Sequence, residues 1–145
     1  MIPKIIAGGK IFDNRGSVEF NNNLSFQKIK RFYIVHNYSN NFVRAWHGHL
    51  REEKYITCIK GTFQISAVKL DNVKNPNKKN KIHTFYLNEN DNKFLNIPKK
   101  YANGTMSLEK NSKILIFSTS SLSESLRDDY RYDSKYWDPW IINER

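Results

Sequence analysis

Short apolar runs interrupted by polar residues dominate the chain, and almost none of them has the helical period of about 3.6 residues. Such runs, rich in Val, Ile, Tyr and Phe and bounded by Gly, Asn, Asp or Pro, are typical of β-strands. The pattern predicts strands at 17–20, 30–37, 42–49, 53–60, 62–70, 82–87, 93–97, 102–108 and 113–119. Short strands in this number favour a β-sandwich or a β-barrel.

The strand predicted at 53–60 carries apolar groups on both faces. Alternation places Lys54, Ile56 and Cys58 on one of these faces. Two apolar faces fit a barrel, in which one face lines the interior and the other packs against a sheet or a subunit. Lys54 is the polar member of the inward row, so we expect its ammonium to reach solvent at the barrel mouth or to contact a ligand.

The C-terminal segment has a different pattern. A short helix is predicted at 123–129, and an aromatic-rich tail follows it. The aromatic residues of the tail are Tyr130, Tyr132, Tyr136, Trp137 and Trp140. Because so many aromatic groups are unfavourable in water, we expect the tail to dock on the barrel or on a second subunit. No repeat or linker divides the 145 residues, so a single domain over 1–145 is predicted.

The composition indicates a polar, soluble protein. The mean hydropathy is -0.71, and no apolar stretch approaches the ~20 residues of a membrane helix. The start of the chain lacks a long apolar signal core. A single cysteine, Cys58, permits no disulfide within the chain, which fits a reducing compartment. We therefore expect a cytoplasmic protein that does not bind a membrane.

The net charge of +10 predicts a negatively charged partner. The lysines are dispersed except in the run at 74–81, which is interpreted as a solvated loop. Without a concentrated basic stripe, no nucleic-acid partner is predicted. A phosphorylated small molecule fits the charge better.

Two of the four histidines, His47 and His49, lie two residues apart in the strand predicted at 42–49. Side chains at i and i+2 share one face of a strand, so the imidazoles are expected about 6–7 Å apart along one wall. Such a pair can bind a metal, transfer a proton or make hydrogen bonds in a core.

A metal site is disfavoured by the neighbouring residues. His-x-His followed by Glu53 resembles the first metal-binding motif of the cupin superfamily, whose second motif supplies another histidine. Asn103 stands at that position here. An amide is a poor replacement for imidazole, and the ammonium of Lys54 would repel a divalent cation. We therefore predict no metal.

Proton transfer fits the same residues better. An imidazole can remove and return a proton near neutral pH. Lys54 would stabilise an enolate formed beside a ketone, and Lys54, Arg44 and Arg51 would keep a nearby histidine neutral. Under strict alternation Arg44 faces away from His47, so its participation requires a β-bulge.

The stretch 30–61, with Arg44-Ala45-Trp46-His47-Gly48-His49 at its centre, resembles the dTDP-4-keto-6-deoxyglucose 3,4-ketoisomerases. These are small cupin enzymes. The resemblance implies an all-β fold, a cupin-type double-stranded β-helix (jelly-roll barrel), a homodimer and no cofactor. It also implies that His49 carries the proton between C3 and C4, with His47 beside it.

A second resemblance is to the dTDP-4-dehydrorhamnose 3,5-epimerases. It rests on Asp13-Asn14-Arg15-Gly16, on the stretch 44–47, on Lys54 and on Trp137-Asp138-Pro139. In that family the first histidine, His47 here, is the base. The chain departs from the family at Asn103, where a histidine is usual, and at 117–122, which lacks the tyrosine expected as the acid on the opposite face.

The missing tyrosine favours one reaction over the other. Epimerisation needs groups on both faces of the ring, whereas a ketoisomerase can move a proton between adjacent carbons with one base. We predict a cofactor-independent 3,4-ketoisomerase of a nucleoside-diphosphate 4-keto-6-deoxyhexose, with dTDP as the expected nucleotide, serving deoxysugar or surface polysaccharide synthesis. The alternatives are a 3- or 3,5-epimerase, a non-catalytic sugar- or nucleotide-binding cupin, and a metal-dependent cupin.

The candidate site residues fall into two groups. The predicted catalytic residues are His49, His47 and Lys54. The predicted substrate-binding residues are Arg15, Arg44, Glu19, Asn37, Tyr33, Tyr101 and Asn103. Asp128 and Asp129 are interpreted as a solvated acidic pair, with orientation of a histidine as the alternative.

Overall fold

The structure is a computed structural model that describes residues 1–140. Strands make up about half of this part of the chain, and turns and loops join them. The strands are β1 Lys4–Ala7, β2 Gly9–Asp13, β3 Gly16–Phe20, β4 Arg31–Asn37, β5 Val43–His49, β6 Lys54–Lys60, β7 Thr62–Lys69, β8 Ile82–Asn88, β9 Lys93–Ile97, β10 Tyr101–Ser107, β11 Ser112–Ser118 and β12 Tyr130–Arg131. A short helix, α1 Leu122–Leu126, precedes β12.

Two antiparallel five-stranded sheets form the body of the fold. The first has the strand order β1-β9-β6-β11-β4 and the second β12-β5-β10-β7-β8, while β2 and β3 form a separate hairpin. From β4 to β11, each strand lies in the opposite sheet to the one before it, except that β7 and β8 pair directly. This alternation between two facing sheets is the predicted jelly-roll arrangement.

The core lies between the two sheets. On β6, Ile56 and Cys58 are buried with Lys54, whereas Ile59 is exposed, so the predicted inward row is confirmed. Ile65 of β7 packs into the same apolar cluster from the second sheet. Apolar groups fill one part of the interior and leave the part around Lys54 open for polar groups.

All nine predicted strands occur, with ends that differ by a residue or so. The prediction missed β1, β2 and β12. The first two form an N-terminal strand and half of an exposed hairpin, and neither alternates strictly. β12 has only two residues, and it is defined by its pairing with β5 rather than by its own sequence pattern. The predicted helix is confirmed but begins one residue earlier and ends before Asp128, whose side chain binds the β5–β6 turn instead.

The aromatic tail docks on the outer face of the second sheet, as predicted. The Trp137 indole is 2% exposed and packs edge-to-face on Trp46 at a ring separation of 5.3 Å. Trp46 Nε1 donates to the Trp137 carbonyl at 3.0 Å, and Trp137 Nε1 donates to the Asn77 carbonyl at 3.1 Å. The tail therefore supports β5 from behind, on the face opposite the histidines.

Among residues 1–140, no helix has the length and apolar character needed to span a membrane. The interpretation of 1–145 as a single domain stays a prediction, as does the cytoplasmic location.

Truncating Trp137 tests the tail's contribution to stability. Because Trp137→Ala removes a buried indole and leaves a cavity beside Trp46, we expect the free energy of unfolding to fall by about 3–5 kcal/mol in urea titration. Tyr86, which is 59% exposed on β8, gives a matched aromatic control. Tyr86→Ala should change stability by less than about 0.5 kcal/mol. Equal effects of the two substitutions would contradict a stabilising role for the docked tail.

Candidate active site

A cavity of about 330 Å³ opens between the two sheets. Its polar lining comes from β4, β5, β6, β10 and β12 and from the β5–β6 turn and the α1–β12 connection, whereas α1 and β11 contribute mainly apolar side chains. The polar and charged lining residues are Tyr33, Arg44, His47, His49, Glu52, Lys54, Asn103, Thr105, Ser125, Asp129 and Arg131. The structure thus brings both predicted histidines and Lys54 to one place.

A β-bulge in β5 turns Arg44 into this cavity. Asn103 of β10 pairs with His47, but Thr105, two residues later, pairs with Arg44, three residues before His47. The extra residue on β5 puts Arg44 and His47 on the same face. The bulge that the sequence argument required is therefore present. Gly104 lies opposite it, where a Cβ would come within 2.6 Å of the Ala45 Cβ.

The His49 ring is fixed by the segment that follows α1. Nδ1 lies 2.5 Å from the Asp128 carbonyl oxygen. Because a carbonyl only accepts hydrogen bonds, Nδ1 carries the hydrogen, and Nε2 is the nitrogen that can take up a proton. Burial lowers the pKa of His49, as does Lys54, while Glu52 acts in the opposite direction. His49 is thus held as a neutral base with a defined tautomer.

His47 is also held neutral. Burial lowers its pKa to about 4, and the positive charge of Lys54 contributes further. Arg131 acts in the same direction and Asp129 against it. At neutral pH both imidazoles on this wall can therefore accept a proton.

Lys54 is buried beside the histidines. Its Nζ donates to the Asn103 Oδ1 at 3.2 Å and lies 3.8 Å from Glu52 Oε2. Burial lowers the pKa of Lys54, and Glu52 opposes that shift. Asn103 thus gives the ammonium a neutral acceptor, a role that an imidazolium at this position would not fill.

Asp128 organises the β5–β6 turn. Its carboxylate accepts hydrogen bonds from the backbone N–H groups of Leu50, Arg51 and Glu52 at 2.8, 2.9 and 3.0 Å. The interpretation as a solvated acid was therefore wrong for Asp128, which is 6% exposed. Three backbone donors satisfy the carboxylate inside the protein, and its carbonyl orients His49. Asp129 is exposed and pairs with Arg131 at 3.1 Å.

Two predicted substrate-binding residues differ in their position: Tyr33 lines the cavity, whereas Asn37 lies behind Arg44. Asn37, 1% exposed, accepts from Arg44 Nε at 2.7 Å and donates to Ser107 Oγ at 3.2 Å, so it supports Arg44 from behind. Tyr33 lines the cavity from β4, in the sheet opposite the histidines. Burial raises the pKa of Tyr33 to about 12, so its hydroxyl stays protonated.

Three predicted substrate-binding residues lie outside this cavity. Arg15 pairs with Asp13 at 2.7 Å on the exposed β2–β3 hairpin, and Glu19 faces Lys10 on the same hairpin. The Tyr101 hydroxyl donates to the Met1 carbonyl at 3.1 Å and lines a separate cavity. The structure does not bring these three residues to the histidines within the chain, and their binding role stays a prediction.

Sequence reasoning missed Glu52. Alternation is lost in the turn between β5 and β6, so it could not decide which of the two adjacent glutamates faces inward. Glu53, which the cupin motif singled out, lines the other cavity. Arg31 was missed as well, because its place beside the cavity depends on its ion pair with Glu52. Within residues 1–140, no group of three or more His, Cys, Asp or Glu side chains is placed to hold a metal ion.

The facing sheets and the polar cavity between them define a cupin-type barrel, and solved structures share this fold. The 3,5-epimerase of Bacillus anthracis gives a TM-score of 0.74 at 16% identity, covering 98% of this chain and 86% of that one. A histidine-to-asparagine mutant of the 3,4-ketoisomerase QdtA from Thermoanaerobacterium thermosaccharolyticum gives 0.71 at 18%, covering 92% and 90%. The WlaRB TDP-quinovose 3,4-ketoisomerase of Campylobacter jejuni gives 0.67 at 23%, covering 92% and 95%.

Residues 2–138 match the family described as FdtA: WxcM-like, C-terminal. The chain belongs to this family. A comparison with curated proteins gave no match.

The low pKa of His47 predicts a specific pH dependence. In the unfolded chain the imidazole has its ordinary pKa of 6.5, whereas in the folded protein the value is about 4. The unfolded state therefore binds the proton more readily, and the stabilisation that His47 provides above pH 6.5 is lost as the pH falls towards 4. An NMR titration, assigned with His47→Asn, should show no charging of His47 between pH 6 and 8.

Lys54→Met separates the two causes of this shift. It removes the positive charge and keeps the site filled, so the pKa of His47 should rise but stay below 6.5, because burial remains the larger cause. A wild-type His47 that titrates near 6.5 would contradict the described environment.

Proposed function

We propose that the protein is a cofactor-independent isomerase of a nucleoside-diphosphate 4-keto-6-deoxyhexose, with dTDP as the nucleotide and 3,4-ketoisomerisation as the reaction. The observation that carries the proposal is the pair of neutral imidazoles of His47 and His49 on one cavity wall beside the ammonium of Lys54. A base and a fixed donor are the two groups that enolisation next to a ketone requires.

The proposed reaction begins with His49. Its Nε2 takes the proton from C3, the C–H electron pair forms the C3=C4 bond, and the carbonyl electrons move to O4. Lys54 stabilises the oxyanion by donating to it. The same His49 then returns the proton to C4. In parallel the O3 hydroxyl gives up its proton and O4 gains one, a transfer for which His47 and Lys54 are the neighbouring groups.

Two arginines are proposed to hold the diphosphate. Arg44 and Arg131 both line the cavity, and the geometry of a guanidinium suits phosphate oxygens. Among the similar solved structures, one QdtA complex contains TDP-4-keto-6-deoxyglucose and the Bacillus anthracis epimerase contains TDP. A ligand of this class also matches the net charge of +10.

A specific observation keeps the 3,5-epimerase as the second candidate. Tyr33 stands in the opposite sheet from the histidines and keeps its proton. If a sugar ring lies between the sheets, this hydroxyl can donate to the face opposite the base, which is the role for which 117–122 provides no tyrosine.

The homodimer is also part of the proposal. Phe32 and Ile34 are 64% and 52% exposed on β4, an edge strand of the first sheet, and Ile11 and Phe12 are exposed on the hairpin. Exposed apolar groups at an open sheet edge are suited to pairing with a second copy. A cytoplasmic deoxysugar or surface polysaccharide pathway, and the absence of a nucleic-acid partner, belong to the same proposal.

Incubation with dTDP-4-keto-6-deoxyglucose in deuterated water tests the reaction. NMR should show a 3-keto product that carries the transferred proton at C4 in some molecules and solvent deuterium in the others, because exchange at His49 is incomplete. Loss of a general base costs about 10²–10⁴-fold in rate, so His49→Asn should slow the reaction by that factor. His83→Asn, on β8 away from this cavity, is the matched control and should keep full activity. Unchanged activity in both His49→Asn and His47→Asn, or no conversion of any of several nucleotide keto sugars, would contradict the proposal.

Tyr33→Phe distinguishes the two reactions. A one-base ketoisomerase does not need the hydroxyl, so its rate should fall less than about tenfold, whereas an epimerase that loses its acid should lose about 10²-fold or more. Deuterated, inverted C3 or C5 in the wild-type product, abolished by Tyr33→Phe, would establish the epimerase instead.

A further inference from the structure

Glu52 is a buried carboxylate without a hydrogen bond. Its side chain is 1% exposed, and neither of its oxygens has a hydrogen-bond partner among the described residues. Asp128, which binds the same turn, accepts three backbone N–H groups. A buried polar group with a purely structural role normally has hydrogen-bond partners, as Asp128 has. The burial of Glu52 without such partners therefore needs another explanation.

Ionisable groups from three strands face Glu52. Arg31 of β4 places Nη2 at 3.5 Å from Oε1. His49 of β5 places Nε2 at 3.3 Å from Oε2, and Lys54 of β6 places Nζ at 3.8 Å from the same oxygen. Tyr33 of β4 also lies within its field. Attraction to the Arg31 guanidinium and the Lys54 ammonium offsets part of the cost of taking the carboxylate out of water.

The contact with His49 has an unusual consequence. Because Nδ1 donates to the Asp128 carbonyl, neutral His49 presents the lone pair of Nε2 near a carboxylate oxygen, and both atoms are acceptors. The contact becomes favourable only when Nε2 gains a proton. The positive charge of Lys54 makes that proton less favourable. At His49 Nε2, the atom that would accept a proton, the negative charge of Glu52 thus counteracts the positive charge of Lys54.

We propose that Glu52 is a positioning residue for His49, whose carboxylate stabilises the imidazolium that forms when Nε2 takes a proton from the sugar. The inference rests on the proposed function. In that step the C3–H bond breaks, the N–H bond forms at Nε2, and the electron pair left on C3 enters the enediolate. Glu52 gains and loses no proton in this step, and the proton on Nε2 is then delivered to C4.

The first test needs no substrate. Glu52→Gln keeps the shape of the side chain and removes its charge, and an opposite charge at this range shifts a pKa by about 1–3. The pKa of His49, followed by NMR, should therefore fall by about 1 or more. Glu53→Gln is the matched control, because Glu53 is buried but faces the other cavity, and it should leave His49 unchanged.

The second test is kinetic. In the deuterium assay Glu52→Gln should lower kcat about 10-fold or more with little change in KM, since Glu52 acts through His49. The acid limb of the kcat/KM profile should move to lower pH with the pKa of His49, which loss of structure alone would not cause. Glu52→Asp keeps the charge further from Nε2, so it should recover part of kcat and give a smaller shift.

The outcomes separate the two proposals. If Glu52→Gln and Glu52→Asp both leave the pKa of His49 and kcat at their wild-type values, the role of Glu52 is overturned. If the pKa falls in Glu52→Gln but wild-type protein transforms no nucleotide keto sugar, the electrostatic link stands and the proposed function fails.

Discussion

The contact of Asp128 with the β5–β6 turn is the interaction on which the site depends. One residue uses its carboxylate to bind three successive backbone N–H groups and its carbonyl to bind the His49 ring. The turn fixes Glu52, and the ring contact fixes which nitrogen of His49 is basic. The segment that follows α1 thereby completes a site whose other residues come from the barrel strands.

Desolvation gives the site its chemistry. Lys54, His47 and His49 share a cavity in which burial is the first cause of each lowered pKa, so the imidazoles stay neutral beside a positive charge. In bulk water the same groups would be screened from one another. The barrel provides the buried wall on β5 that carries the histidines. The aromatic tail supports this wall from behind, since Trp137 packs on Trp46, the neighbour of His47 along β5.

The fold could be predicted from the sequence because strand alternation and turn residues are local signals. His47, His49 and Lys54 could be predicted as site residues as well, since the first two share a strand face and Lys54 begins the next strand. The inward orientation of Arg44 could be predicted only on the assumption of a β-bulge in β5. Gly104, which lies opposite Arg44's strand at this point, is consistent with that bulge.

Other parts of the site had no local signal. Glu52 lies in a turn without periodicity, and Asp128 is separated from its partners by more than 75 residues of chain. Only the tertiary fold brings them together. Arg15 and Glu19 show the opposite case, in which a motif in the sequence lies on an exposed hairpin away from the histidines of its own chain.

The central claim is that one buried histidine carries one proton between adjacent carbons. It is tested most directly by converting dTDP-4-keto-6-deoxyglucose deuterated at C3 in ordinary water and analysing the earliest product. Because the His49 side chain is only 8% exposed, exchange with solvent should be incomplete, and part of the 3-keto product should hold deuterium at C4. Complete loss of the label from the first turnover, or a product inverted at C3 or C5, would contradict the one-base account.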